Sequence, residues 1–248
     1  MTVRADGPLG LSLTGNQFLD ALPAPARRRC IEPGRVETFA VGHTAGHRGD
    51  AFAHVCFPLS GAVSEVEEGL DGGSVEVTAI GYEGVSPIEA LLDFDSEPFR
   101  RVVEVPTSAL VVPVAALLRI RDDDRDVHRL IDRYAAARLR AAGITIGCNA
   151  RHDAPSRLAR WLLRMADRVG HGEFEITHDT IALMLGVRRP TVTRAITQLV
   201  QANAIRSGRS SVCVIDRQRL EALTCSCYPE AREVFNEIYA DRARATEI

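Results

Sequence analysis

Residues 177–199 read THDTIALMLGVRRPTVTRAITQL, the pattern of a helix, a tight turn and a second helix. Thr177 suits an N-cap, and Asp179 falls in the first turn, where the helix dipole favours a negative charge. Ile181 and Leu185 share one face at i and i+4, and the small Ala182 leaves room for a crossing helix. Gly186 is a C-terminal stop, and Pro190 fits the first turn of the next helix, where its missing N–H costs nothing. Val192, Ile196 and Leu199 then form an apolar stripe at i, i+4 and i+7, while Arg194, Thr197 and Gln201 point the other way. A unit of this shape commonly sets its second helix into the major groove of DNA.

Working outward, Arg188 and Arg189 flank the N-terminal end of that second helix, the end that normally meets base edges. Arginine can donate paired hydrogen bonds to O6 and N7 of guanine. On the C-terminal side, Ala204-Ile205 leads into Arg206-Ser207-Gly208-Arg209-Ser210-Ser211 and then Val212-Cys213-Val214-Ile215. This predicts a hairpin wing whose tip, with Arg209, suits phosphate contacts. Before the unit, Glu173–Ile176 predicts a short strand. Asp153-Ala154-Pro155-Ser156 opens a helix carrying Arg157, Leu158, Trp161, Leu162 and Met165.

The chain has 248 residues and a net charge of −3. That charge is unevenly spread. Residues 1–120 hold 9 Arg against 16 acidic residues, whereas residues 151–223 hold 12 Arg against 7. The positive field therefore sits on the segment with the two-helix unit, and the acidic total does not argue against a nucleic-acid partner. All 30 basic residues are arginine, so every cationic contact is made by a guanidinium. The N-terminal sequence lacks a basic start followed by an apolar run, and no apolar run is long enough to span a bilayer, so a cytoplasmic location and no membrane partner are expected. Six scattered cysteines in such a chain do not suggest a disulfide framework.

The front of the chain has a different period. Residues 16–30 predict one or two short helical turns, and residues 34 to about 114 predict strands. Val55, Phe57 and Leu59 alternate, as do Val75, Val77 and Ala79, with Asp71-Gly72-Gly73 as a turn between them. Many short strands suggest a barrel or sandwich. From about Asp122 the pattern turns helical. Val127, Leu130, Tyr134, Ala137, Ala141, Ile144 and Cys148 repeat at 3-4-3-4-3-4, which predicts the seam of two supercoiled helices and hence a homodimer. The same stripe on a single amphipathic helix would pack on its own domain. Gly143 and Gly147 each cost about 1 kcal/mol in a helix interior and are expected to mark a joint.

Taken together, the order of segments resembles the Crp/Fnr family of bacterial transcription regulators. The strongest local likenesses are RLARWLL at Arg157–Leu163, the segment Ile176–Leu199, Phe57–Gly61 and Ile80–Gly84. The resemblance implies an α+β fold: a jelly-roll β-barrel effector domain of cyclic-nucleotide-binding type over 1–120, a dimerisation helix over 121–150, a winged helix-turn-helix over 151–223, and a tail over 224–248. It puts Arg189 and Arg194 on base-reading positions and Thr191 and Thr177 near phosphates. With these, Arg188, Thr193, Thr197, His178 and Arg209 form the expected DNA surface. The expected partners are an inverted-repeat operator in double-stranded DNA, a second copy of the chain, and RNA polymerase.

There are departures. Where relatives of known operator preference carry glutamate between the arginine and the threonine, this chain has Pro190, so its operator should differ. Cyclic-nucleotide binders carry Gly-Glu and, about ten residues on, Arg followed by Ser or Thr. Here the matching residues are Glu89, Arg100 and Arg101, without the glycine or the hydroxyl, and the effector stays unassigned. The otherwise ordinary reading of Arg100-Arg101 is a solvated strand start. The N-terminal cysteine cluster of the family's oxygen sensors is missing, and Cys225-Ser226-Cys227 is one close pair without a second, so no metal or cofactor is expected; the role of that pair is open. His43, His47 and His54 do not form a recognised ligand set. A ligand-binding signalling module with secondary or no DNA contact is the alternative function. No nucleophile elbow, zinc-protease helix or phosphate loop is present, which speaks against an enzyme.

Overall fold

A computed structural model describes residues 3–4, 14–69 and 73–245, with side chains described for 14–69 and 73–240. The Asp71-Gly72 half of the expected turn lies outside the described residues. Two compact units are present. The first comprises residues 1–65, 79–140 and 234–248; the second comprises 66–78 and 141–233.

The first unit contains β1 (Val3–Arg4), α1 (Gln17–Ala21), α2 (Ala24–Ile31), β2 (Arg35–Phe39), β3 (Thr44–Gly46), the long β4 (His54–Glu68), β5 (Ser74–Ile80), a 3-10 turn at Glu89–Leu91, the long β6 (Arg100–Pro113) and α3 (Val114–Asp123). The ends of β4 and β5 at their turn belong to the second unit. The strands form one sheet in the order β1-β2-β6-β4-β5, with β3 also paired to β6. Of the alternating residues noted in the sequence, Val55, Phe57 and Ala79 are buried and Leu59, Val75 and Val77 are half-buried; Val103 and Val105 of β6 add to the core. Gly61 lies inside β4 at φ +77°, and a Cβ there would stand 2.4 Å from the Pro106 carbonyl. Only glycine fits so close an approach. Beside it, the Thr107 hydroxyl accepts the Ala62 N–H at 3.0 Å and ties β4 to β6. Asn16 caps α1 by accepting the Leu19 N–H, and its amide donates to the carbonyls of Pro58 and Gly84. One buried side chain thus fixes α1 against β4 and the loop that follows β5.

Helix begins earlier than the sequence pattern suggests, at Val114 directly after β6, and breaks at Asp124 before α4 (Arg125–Arg151). Gly143 and Gly147 do not end α4, which continues through both.

The expected dimer seam is corrected by burial. Val127, Leu130, Tyr134, Ala137, Ala141, Ile144 and Cys148 are all buried within a single chain. Tyr134 explains why. Its ring meets Phe18 edge-on at 5.2 Å and lies 6.0 Å from Phe235. Its hydroxyl accepts the Val85 N–H at 3.2 Å, and a Cβ on Gly84 would overlap it. The heptad stripe is therefore used on the chain's own core and is not free for a partner. Facing away from it, Ala136, Leu139, Gly143, Ile146 and Ala150 are exposed. They repeat at 3-4-3-4 as well. Leu139 and Ile146 are 77% and 69% exposed, the two highest values among the large apolar side chains described as exposed.

The second unit carries α5 (Ala154–Val169), β7 (Glu173–Glu175), α6 (His178–Leu185), α7 (Arg189–Gln201), β8 (Ile205–Ser207), β9 (Ser211–Val214) and α8 (Arg217–Leu223). The tail is α9 (Cys227–Ala245), which starts in the second unit and ends in the first. Asp153 caps α5 by accepting the Ser156 N–H at 3.1 Å, and Gly170 closes it in the left-handed conformation. Leu158, Trp161, Leu162 and Met165 of α5 are buried together with Ile181, Leu185, Val192, Ile196 and Leu199 of the helices that follow. The small sheet is ordered β7-β9-β8.

Candidate nucleic-acid interface

Local sequence sets the helix-turn-helix. The Thr177 hydroxyl accepts the Thr180 N–H at 3.1 Å and so satisfies one of the free N–H groups at the start of α6. Gly186 ends α6 at φ +61°, where a residue with a side chain is strained. Arg188 is the N-cap of α7 and Pro190 sits in its first turn. Val192, Ala195, Ile196 and Leu199 bury one face, which leaves Arg189, Thr193, Arg194, Thr197 and Gln201 on the other, all exposed.

Several of the expected contact residues already have partners. Arg189 Nε lies 3.3 Å from Asp179 Oδ1, with both side chains about two-thirds exposed or more. Pairs so exposed contribute little, so the guanidinium can leave at small cost. His178 Nδ1 and Thr193 Oγ1 are 3.2 Å apart and link the start of α6 to α7. The Thr193 and Thr197 hydroxyls donate back to carbonyls one turn earlier, at 3.3 and 2.9 Å. Thr191 is half-buried, while Arg188 and Arg194 are exposed. In the wing, Gly208 N–H donates to the Ser211 carbonyl at 2.8 Å, and Arg206 and Arg209 are exposed. The helix-turn-helix and its wing thus offer five exposed arginines, at 188, 189, 194, 206 and 209. That is the cationic footprint of a nucleic-acid surface.

The expected effector trio is not brought together. A cavity of about 280 Å³ in the first unit is lined by Arg101, Glu97, Cys56, His43, His54 and Asp50, among others; Glu89 and Arg100 are not in its lining. Arg101 is not a solvated strand start. Its side chain is 7% exposed and forks onto Glu97, with Nε at 3.0 and 3.1 Å from the two carboxylate oxygens and Nη2 at 3.0 Å from the Ala45 carbonyl. Gly46 permits this, since a Cβ there would stand 2.8 Å from Glu97 Oε1. An incoming phosphate would have to displace an internal carboxylate. Glu89 instead faces Arg138, whose guanidinium donates to Glu65 and lies 3.9 Å from Glu89. Burial and the Glu65 charge push the Glu89 carboxyl up to about 7, against the pull of Arg138. Glu97 stands only four residues before Arg101 but outside the motif that points to Arg101, whereas Glu65 and Arg138 are far apart in sequence and belong to no recognisable motif.

Four donor groups also meet in the second unit. The ligand atoms of Cys148, His152, Cys225 and Cys227 all lie within 4.8 Å of one another. The sequence pattern found only the last two.

A winged helix-turn-helix with an arginine-bearing second helix defines a DNA-binding protein. Comparison with known proteins agrees. Residues 156–223 match the Crp-like helix-turn-helix domain family. The chain is 27% identical over 196 residues to the CRP-like cAMP-activated global transcriptional regulator of Mycobacterium tuberculosis, which covers 73% of this chain and 84% of that protein. It is 26% identical over 191 residues to the global nitrogen regulator of a Nostoc species, covering 73% and 86%. Among solved structures, FixK2 from Bradyrhizobium japonicum superposes with a TM-score of 0.66 at 23% identity, over 78% of this chain and 98% of that one. The c-di-GMP responsive global regulator CLP of Xanthomonas campestris gives 0.62 at 14% identity, over 77% and 99%. Residues 156–223 thus carry a Crp-like helix-turn-helix, and the chain is similar over most of its length to Crp/Fnr-type DNA-binding transcriptional regulators with a cyclic-nucleotide-binding-like front fold. Its homologues are regulators and not enzymes. Among the described residues, no helix is long and apolar enough to cross a membrane.

Proposed function

We propose that the protein acts as a homodimer that reads an inverted-repeat operator, with α7 of each subunit in a major groove. The single observation that carries this is the division of α7 into a buried apolar face and an exposed face bearing Arg189 and Arg194. Two-fold symmetry would set half-sites about 34 Å apart. Arg189 and Arg194 read base edges. Arg188, Thr177, Thr191, Thr193, Thr197, His178 and Arg209 hold the phosphate backbone, with Arg189 leaving Asp179 and the threonine hydroxyls rotating from their intrahelical partners on binding. Affinity then falls steeply with salt, because guanidinium–phosphate contacts release counterions.

The dimer seam is the exposed stripe Ala136, Leu139, Gly143, Ile146 and Ala150. Small residues at every second position let two backbones approach, and Leu139 and Ile146 then supply the apolar burial. The effector domain spans the front sheet, and the cavity around Arg101 and Glu97 is its candidate ligand site. A cyclic nucleotide in the manner of the mycobacterial relative is not favoured, since Glu97 already neutralises Arg101. RNA polymerase is the expected protein partner on the DNA, in the cytoplasm.

Selection of bound duplexes from a random pool tests the reading. A two-fold symmetric consensus protected on two successive major grooves supports it. Retention of no duplex at low salt refutes it.

A further inference from the structure

The last turn of α4 and the turn between α8 and α9 bring together a donor set that DNA recognition does not use. Cys148 and His152 stand at i and i+4, so both project from one side of the helix end, where the His152 N–H still donates to the Cys148 carbonyl at 3.0 Å. Cys225 and Cys227 enter from the start of α9, where the Tyr228 N–H turns back onto the Cys225 carbonyl at 3.1 Å. The two pairs are separated by more than seventy residues, yet their four ligand atoms lie within 4.8 Å of one another.

We propose that Cys148, His152, Cys225 and Cys227 form a mononuclear site for a thiophilic divalent cation, zinc in class. Three thiolates and one imidazole are a closed tetrahedral set of the kind structural zinc takes. With metal–sulfur distances of about 2.3 Å, tetrahedral donors stand about 3.8 Å apart. Cys148 Sγ and Cys225 Sγ are 3.6 Å apart, close to that edge and well beyond a sulfur–sulfur bond of about 2.05 Å. A polynuclear iron–sulfur cluster spreads its four protein ligands more widely, because several irons and sulfides stand between them.

Charge points the same way. Arg157 and Arg160 of α5 are buried, each with a guanidinium Nε that has no hydrogen-bond partner. Arg160 is near enough to act electrostatically on both Cys148 and Cys227. Against three neutral thiols, these cations have no counter-charge from the cluster. A divalent ion with three thiolates carries a net charge of −1 and supplies one, which lowers the cost of burying them. Three thiol protons leave to solvent as the ion binds, and no electron is transferred.

Cys148 and His152 stand at the end of α4, against the short break before α5, and Cys225 and Cys227 stand just ahead of and at the start of α9. An ion there fastens the start of the tail to the end of the long helix. It makes the break before α5 stiffer in the metal-bound chain than in the metal-free one.

The test uses the full chain, purified under reducing conditions without chelator, and zinc or cobalt(II) as the probe. About one zinc per chain by elemental analysis is expected. Cobalt(II) exchange should give the intense visible bands of a tetrahedral thiolate complex. Cys227→Ser and His152→Asn should lose that spectrum, whereas Cys30→Ser, a buried cysteine of the other unit, should keep it. Because a ligand variant could fail to fold, chelation of the unaltered chain is the second measurement: adding back zinc should raise its melting temperature by several degrees. Three results would overturn the proposal: no metal uptake by the reduced chain, a Cys148–Cys225 disulfide as the native form, or equal loss of cobalt binding in Cys30→Ser.

Discussion

Arg189 Nε lies 3.3 Å from Asp179 Oδ1, so the foremost arginine of the second helix rests on the first helix of the same unit. Asp179 thereby both favours the start of α6 through its dipole and holds Arg189 at the exposed edge. The pair is too exposed to stabilise the unit by more than a few tenths of a kcal/mol. Its use is positional. Arg189→Ala should weaken specific binding and relax preference at one base position by about 1–3 kcal/mol, read by competition binding against single-base operator variants. Unchanged affinity and an unchanged footprint would remove Arg189 from the base-reading set.

The two apolar stripes of α4 make opposite predictions. Leu139→Glu puts a charge on the exposed stripe and should shift the chain from dimer to monomer in sedimentation, with the melting temperature of the subunit little changed. Leu130→Glu buries an unpaired charge in the chain's own core and should unfold it. A Leu139→Glu chain that still sediments as a dimer would place the seam elsewhere.

Arg138 and Glu65 form a buried ion pair, with side chains 10% and 1% exposed. Removing one partner strands the other. Arg138→Ala should therefore cost about 3–5 kcal/mol of stability, seen as a lowered denaturation midpoint. A change under about 1 kcal/mol would mean that water already reaches Glu65.

Glu89, beside this pair, gives a pH dependence. Its carboxyl is pushed up from 4.5 to about 7, chiefly by burial and then by Glu65. The folded chain thus holds this proton at a pH where the unfolded chain has released it. Glu89 contributes nothing adverse below about 4.5, and stability is lost as pH rises toward and through about 7. Glu89→Gln should remove that loss, so its melting temperature should gain on the unaltered chain as pH goes from 5 to 8. A constant difference across that range would contradict the assignment.

How much was legible in the sequence follows from how local each signal is. Caps, stops and the buried face of the helix-turn-helix depend on residues within four positions of each other, and Thr177, Gly186, Pro190, Val192, Ile196 and Leu199 stand where their pattern puts them. The seam of α4 failed for a physical reason: a 3-4 repeat reports that one face of a helix is buried, not what buries it. Phe18 and Phe235, far away in sequence, cover Tyr134. The weaker exposed repeat at Ala136, Leu139, Gly143, Ile146 and Ala150 was masked by its small residues. Arg101 was found as a candidate, but its partner Glu97 falls outside the motif that led to it. The four metal-type donors were half visible, because Cys225 and Cys227 are two positions apart whereas Cys148 and His152 lie more than seventy residues before them.

Sedimentation of the protein with a selected duplex, at low and raised salt, tests the central claim most directly. The account predicts two chains on one two-fold symmetric site, with binding that falls steeply as salt rises. One chain per duplex, or affinity indifferent to both sequence and salt, would contradict it.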